Sequence, residues 1–342
     1  MGDQPVSPVL RSVVTYELSA SDGRQVTGLV ERLIEDYSSP EDRAFVATTA
    51  DLARSLPDGI VRFLRSFQAG EPAVAAVIRG LPVDGERVGP TPEHWSAHSD
   101  PARTMREDFY LLLLGSLIGE VFGWSTLQDG ALLHNVLPNR AEENDQSGAG
   151  SRAPLLWHIE DAFHPYRCDY LALMALRNPD SVGTTLGSVR NLQITQHERE
   201  VLWGRRFHIR PDKVHMRGLD VNARGAEFEH SPERVSILFG NEDEPYLRIN
   251  PPFMTAVPGD EVAEHVLGEV ISRIDESMGE VILNPGDVVF IDNYLAVHGR
   301  GSFIPRYDGT DRWMRKALFT RDLRKSRGVR DGADGRVLRL AP

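Results

Sequence analysis

Cysteine is nearly absent: Cys168 is the single one in 342 residues. One thiol forms no internal disulfide and no Cys-rich metal site, so disulfide-stapled secreted scaffolds and zinc-finger-like modules drop out, and a reducing, cytoplasmic setting is expected. Positive charge is in deficit, with 38 Lys plus Arg against 50 Asp plus Glu and a net charge of −12. Phosphate binding rests on clustered Lys and Arg, so no nucleic-acid partner is expected. No apolar run reaches the ~18–20 residues of a membrane span. Met1–Pro8 lacks a basic segment followed by an apolar stretch, so neither a signal peptide nor a membrane partner is expected. Repeats and low-complexity blocks are lacking too.

What is present is ordinary globular composition, 41% hydrophobic and 26% charged, on a chain long enough to bury a large core without staples. Val26, Leu29, Val30, Leu33 and Ile34 recur at helical spacing, with Ser21 and Asp22 as candidate N-caps, and residues 48–56, 58–67 and 105–122 read as further helices. From about residue 126 the texture changes to short β runs separated by Pro and Gly turns, with helical interruptions at 195–202 and 260–277. The reading is one domain spanning 1–342: a helical subregion over 1–125, and a mainly β core over 126–330 forming a double-stranded β-helix (jelly roll) with flanking helices. Residues 139–152 form a long polar stretch, which in a compact chain reads as a functional lid or an insert.

His158-Ile159-Glu160 puts two metal-capable side chains on one side of an extended segment, because alternate strand residues point the same way. With a distant third His, that pair gives the two-His-one-carboxylate face used by non-haem Fe(II) enzymes. Alone the pair means little. Eleven His and 50 acidic residues yield about 1.6 His-x-acid pairs by chance, and His98-Ser99-Asp100 is a second one with no evident partner. His158/Glu160, in contrast, follows the polar stretch and opens the β-rich half. Downstream, a turn at Asn284-Pro285-Gly286-Asp287 leads into a strand ending at His298, and fourteen residues later Arg312 starts another. A fixed guanidinium there can grip a dicarboxylate end-on. Each residue taken singly has a bland reading, a structural His298 and a surface Arg312. Together they suit an iron site with a 2-oxo acid.

The blocks Phe122–Gly130, Trp157–Arg167, Leu176–Asp180, Phe290–Asn293, Ala296–Arg300 and Pro305–Trp313 resemble the clavaminate-synthase-like Fe(II)/2-oxoglutarate-dependent oxygenases, and within them the arginine β-hydroxylases of antibiotic biosynthesis. The resemblance runs from about residue 75 to 330. It implies His158, Glu160 and His298 as iron ligands, Arg312 and Thr185 as contacts to the 2-oxoglutarate distal carboxylate, and O2 as the second cosubstrate. It implies Gln128 and Glu160 at the substrate α-amino group, and Lys316 at the α-carboxylate, where the arginine hydroxylases carry Arg. Residues 139–152 match a lid.

At the places where those hydroxylases present two aspartates to a guanidinium, this sequence has Asn250 and Pro252. A buried guanidinium without carboxylate partners is costly, and Asn250 suits a neutral ureido group. The expected activity is therefore hydroxylation at C3 or C4 of a free arginine-like amino acid, with citrulline the first guess. Arginine or a cyclic guanidino amino acid such as enduracididine is the alternative, should Asp292, Glu242 or a lid acid such as Glu142 supply the charge. A non-catalytic jelly-roll ligand binder is the rival from another class.

Overall fold

The computed structural model describes residues 7–97, 100–217 and 232–340. His98 therefore lies outside the described residues, and Asp100 caps a short 3-10 turn through the Ala102 amide. Two sheets face each other. The larger runs Val13–Glu17, Ala75–Arg79, Val288–Asp292, Tyr170–Arg177, Trp313–Thr320, Glu120–Trp124, Val337–Leu338, with Leu133–Val136 also paired to Trp313–Thr320. The smaller runs Gly279–Val281, Thr184–Gly187, Val297–Arg300, Leu155–His158. The expected mainly β jelly-roll core with flanking helices is present.

The large sheet is buried on both faces, which is why Ala75–Ile78 and Val288–Ile291 read as unbroken apolar runs instead of alternating ones. Alternation is nevertheless obeyed in space. Ala75, Val77, Leu171, Leu173, Val289 and Ile291 turn inward between the sheets, while Ala76, Ile78, Tyr170, Ala172, Val288 and Phe290 turn outward. Against that outer face pack Ala20–Asp36, Arg43–Leu52, Asp58–Gly70 and Met105–Ser116, burying their apolar stripes on it. The first of these helices is capped one turn earlier than the sequence suggests. Ser19 is the N-cap, and Asp22 returns the bond as the third residue of a capping box.

One predicted helix is shorter than its pattern. The apolar run from 105 to 122 splits into the helix Met105–Ser116 and the strand Glu120–Trp124. Gly119 makes the break: a Cβ there would stand 2.8 Å from the Thr320 carbonyl oxygen. The chain beyond it joins the ladder of Trp313–Thr320, so tertiary pairing overrides helical patterning. No helix among the described residues is long and apolar enough to cross a membrane.

Candidate active site

The Leu155–His158 and Val297–Arg300 strands pair antiparallel, with His158 directly opposite His298 and the register slipping between His298 and Arg300. Their imidazole centroids are 4.5 Å apart. Such close strand approach demands glycine at 299, where a Cβ would lie 2.6 Å from the Leu155 carbonyl oxygen. Just past the first strand, Glu160 is held through its main chain. Its N–H donates to Asn293 Oδ1 at 2.8 Å, and its carbonyl accepts from Asn293 Nδ2 at 3.0 Å. Asn293 is fully buried in the turn between Val288–Asp292 and Val297–Arg300, so one side-chain amide ties the two ligand-bearing segments together.

Glu160 Oε2 sits 3.5 Å from His158 Nε2 and 3.4 Å from His298 Nε2, and one ligand atom from each of the three side chains falls within 4.8 Å of the others. His158 Nδ1 donates to the Leu156 carbonyl oxygen at 2.9 Å, so Nε2 is the nitrogen turned toward the cluster. Two imidazole nitrogens and one carboxylate oxygen on one face fit a mononuclear iron with open positions. Burial alone would raise the Glu160 carboxyl, but Lys316 and the hydrogen bonds of His158 and His298 outweigh it and hold it well below the usual carboxylate range. Burial pushes His298 down to about 4, with the charge of His158 acting in the same sense. Lys316 Nζ lies 2.5 Å from Glu160 Oε1. That carboxylate outweighs the effect of burial and keeps the ammonium above its ordinary pKa.

These residues line a cavity of about 410 Å³ between the sheets. Arg300 and Arg312, both buried, are among its lining residues. Arg300 donates to the carbonyl oxygens of Gly150 (2.7 Å), Ala153 (3.3 Å) and Gly301 (3.0 Å), so it ties the base of the 139–152 segment to the site. Arg312 has no carboxylate within ion-pair distance among the described residues, and its Nε is buried without a hydrogen-bond partner. Burial, with Arg300 beside it, pushes its guanidinium down to about 9. An unpaired buried guanidinium is costly. At this place it suits the distal carboxylate of 2-oxoglutarate.

Of the remaining sequence candidates, Gln128, Asn250 and Lys316 line the cavity. Gln128 is in the left-handed region at φ 43, and its amide is paired with the Asn135 main chain at 2.8 and 2.9 Å. Asn250 is buried with Oδ1 unpartnered. Thr185 is a correction. It pairs opposite Gly299 and lies on that residue's side of the sheet, away from His298, whereas Thr184, opposite Arg300, lines the cavity and is buried. Strand alternation decides this, and a one-residue shift in alignment reverses it. Of the acids weighed to balance a cationic substrate, Glu142 lines the cavity, and Asp292 and Glu242 do not.

Three features were not singled out from sequence. Asp212 lines the cavity, and its Oδ1 accepts from the His215 amide at 2.9 Å. His215, fully buried, meets Asp161 Oδ1 at 2.8 Å and Thr126 Oγ1 at 2.7 Å. Arg217 reaches across the mouth to Asp145 at 2.7 Å and Glu142 at 3.4 Å. His215 and Arg217 lie in a short helical turn, Lys213–Arg217, with Asp212 just before it. No local pattern marks so short an element.

The sequence profile of the taurine catabolism dioxygenase TauD, TfdA family matches residues 35–318. The chain is 40% identical over 341 residues to an enduracididine beta-hydroxylase of Streptomyces hygroscopicus, covering 95% of this chain and 100% of that one. It is 36% identical over 337 residues to an L-ornithine/L-arginine 3-hydroxylase of Catenulispora acidiphila, covering 94% and 98%. Among solved structures, the non-heme iron oxygenase OrfP in complex with Fe, succinate and (3S)-hydroxy-L-Arg superposes with TM-score 0.90 at 40% identity, covering 95% of this chain and 99% of that one. OrfP has also been solved with Fe and alpha-ketoglutaric acid. With a two-His-one-carboxylate cluster and an unpaired arginine in one cavity, and with these relatives along nearly its whole length, the chain belongs to the TauD/TfdA family of iron- and 2-oxoglutarate-dependent dioxygenases.

Proposed function

We propose that this dioxygenase hydroxylates a free amino acid with an arginine-like side chain, at C3 or C4. The observation that carries the reading is the cavity itself, which brings the His158–Glu160–His298 cluster together with the buried Arg312 and with Gln128, Asn250 and Lys316. Iron with 2-oxoglutarate and O2 supplies the oxidising power that inserts one oxygen atom into a C–H bond while 2-oxoglutarate is decarboxylated to succinate.

The chain's own residues bind and orient. His158, Glu160 and His298 hold the metal, and Arg312, with Thr184 in place of Thr185, takes the distal carboxylate of the cosubstrate. Lys316 receives the substrate α-carboxylate, and Gln128 and Glu160 take the α-amino group. Fixing the head beside the metal leaves the carbons next to it facing the oxidant, and contacts to the tail choose between them. The 139–152 segment acts as the lid that excludes water. The leading helices bury themselves on the outer face of the sheet that carries Arg312 and Lys316. This supports a single catalytic domain.

Tail chemistry is where the structure adds most. Asn250 leaves a buried acceptor, Oδ1, without a donor, which calls for an N–H on the ligand. Asp212 and Glu142 bring carboxylates into the same cavity, so a guanidino group need not be buried unpaired. A cationic tail is therefore the better-supported substrate. The hydroxylases resembled act, by their names, on enduracididine, ornithine and arginine, and OrfP has been crystallised with L-homoarginine and L-canavanine. Citrulline is the second reading, carried by Asn250. The test is succinate formation coupled to a product one oxygen heavier, across arginine, citrulline, lysine, ornithine and a cyclic guanidino amino acid. Turnover of arginine well above citrulline supports the cationic tail, and the reverse supports Asn250 as the selector. No succinate with any of them, on iron-loaded protein, overturns the hydroxylase reading and favours the ligand binder.

A further inference from the structure

Glu160 is fixed at both ends, and its two carboxylate oxygens have different partners. The main chain is locked by Asn293 at 2.8 and 3.0 Å. Oε2 faces both imidazoles at 3.4 and 3.5 Å, while Oε1 is taken by Lys316 Nζ at 2.5 Å. The lysine is no loose surface arm. It sits in the middle of Trp313–Thr320, which is paired along its length with Tyr170–Arg177 on one side and with Leu133–Val136 and Glu120–Trp124 on the other. Its ammonium reaches from the large sheet across the cavity to a residue anchored beside the small one. Glu160 is the one carboxylate it meets at ion-pair distance among the described residues.

A buried ion pair contributes little net stability compared with a well-packed apolar pair, so folding alone does not account for it. Coordination does. A carboxylate bound through one oxygen fills one metal position, and a carboxylate bound through both fills two. Three protein ligands on one face leave three positions, all of which a chelating 2-oxo acid and O2 require. We propose that Lys316 is a positioning residue for the metal's carboxylate ligand: by holding Oε1 it keeps Glu160 on the metal through Oε2 alone and leaves the remaining position open to the cosubstrates. An ammonium has three N–H donors, so the same group retains two for the substrate α-carboxylate. The inference rests on the iron and 2-oxoglutarate reading of the site and goes beyond it, because it assigns Lys316 a task before any amino acid is bound.

The test is an anaerobic titration without amino acid. Fe(II)-loaded wild-type, Lys316→Met and Lys316→Arg proteins are titrated with 2-oxoglutarate, following the metal-to-ligand charge-transfer absorption, and the Co(II)-substituted forms are compared by their visible ligand-field spectra. Loss of an outer partner of a metal ligand costs about 10–100-fold. K316M is accordingly expected to bind 2-oxoglutarate about tenfold more weakly and to show a changed Co(II) spectrum. K316R, which keeps an N–H for Oε1, stays near wild type in both. If K316M unfolds, shown by a collapsed melting transition, Lys316→Ala, which likewise leaves no N–H for Oε1, carries the same comparison. Wild-type spectra and 2-oxoglutarate affinity in K316M, with only the KM for the amino acid raised, would overturn the proposal and leave Lys316 a contact for the substrate head. These binding readouts need no turnover, so failure of the whole substrate panel would strike the hydroxylase reading and not this one.

Discussion

Two arginines three positions apart on one chain segment meet opposite fates. Arg315 points to the outer, helix-covered face of the large sheet, where its Nε and Nη2 donate to Asp108 at 2.6 and 3.0 Å and Nη1 donates to Asn135 Oδ1 at 2.6 Å. Arg312 opens into the cavity between the sheets with no carboxylate within ion-pair distance among the described residues and with Nε unpartnered. Both are about equally buried. Burial therefore does not separate structural from functional charge, but satisfaction does. The outer interface closes Arg315 within the chain, although Glu107 Oε2 and Tyr170 Oη are buried there without a partner. The inner one leaves Arg312 Nε, Asn250 Oδ1 and His298 Nδ1 unpartnered, which is the state of a site completed by ligands.

The largest effect expected is at the cluster that defines the inner interface. His158→Ala should abolish tight Fe(II) binding and reduce succinate formation to background, read by metal content after dialysis and by succinate assay. A variant that kept turnover would break the distinction drawn here. The two arginines sharpen it further. Arg312→Met should weaken 2-oxoglutarate binding by about 2–5 kcal/mol, at least ~30-fold, with the melting temperature unchanged or raised because an uncompensated charge is gone. Arg315→Met should do the reverse. It strands Asp108 and costs about 3–5 kcal/mol of stability, with 2-oxoglutarate affinity of the folded protein unaffected. Calorimetry and cosubstrate titration on the same pair of proteins decide it.

Smaller effects follow at the substrate tail. Asp212→Asn removes a charged acceptor worth about 1.5–3 kcal/mol. The kcat/KM for a guanidino amino acid should fall roughly tenfold to a hundredfold, while that for citrulline moves little. A further effect, on stability alone, lies outside the site. Asp292 is buried, and desolvation, reinforced by Glu71 and Asp169, raises its pKa from the ordinary 3.8 to about 7. A folded-state pKa raised above the unfolded one means that the native state binds more protons between those values. Its contribution is full below about pH 4 and is lost as the pH rises through about 7. Asp292→Asn keeps Oδ1 for the Tyr294 amide and should flatten stability over that window in denaturant melts at pH 5 and pH 8.

Much of the inner interface was legible as residue types at telling spacings. His158, Glu160 and His298 stand in recognisable blocks, and all three come together. The β texture after residue 126 gave much of the core, because short runs between Pro and Gly turns have few other ways to be buried, but the large sheet also takes Val13–Glu17, Ala75–Arg79 and Glu120–Trp124 from the subregion read as helical, and Val337–Leu338 from beyond residue 330. Less was legible where three-dimensional pairing overrides local pattern. The 105–122 run reads as one helix until Gly119 and the Trp313–Thr320 ladder break it. Thr184 and Thr185 are indistinguishable in sequence, and only the register opposite Arg300 and Gly299 says which faces the cavity. Asp212 precedes and Arg217 ends a five-residue turn without a periodic signal, and the closeness of Arg217 to Glu142 depends on a contact some seventy residues long in sequence.

The sequence by itself determined the chemistry available: one thiol, an excess of carboxylates, a His-x-Glu pair with a distant His, and an arginine one strand further on. Those are properties of residue type and order, which folding does not alter. Only the tertiary structure decided which charges are satisfied and which are left open. Arg312 differs from Arg315, Thr184 from Thr185 and Glu160 Oε1 from Oε2 by the direction in which an atom points, and direction is set by strand alternation and long-range register.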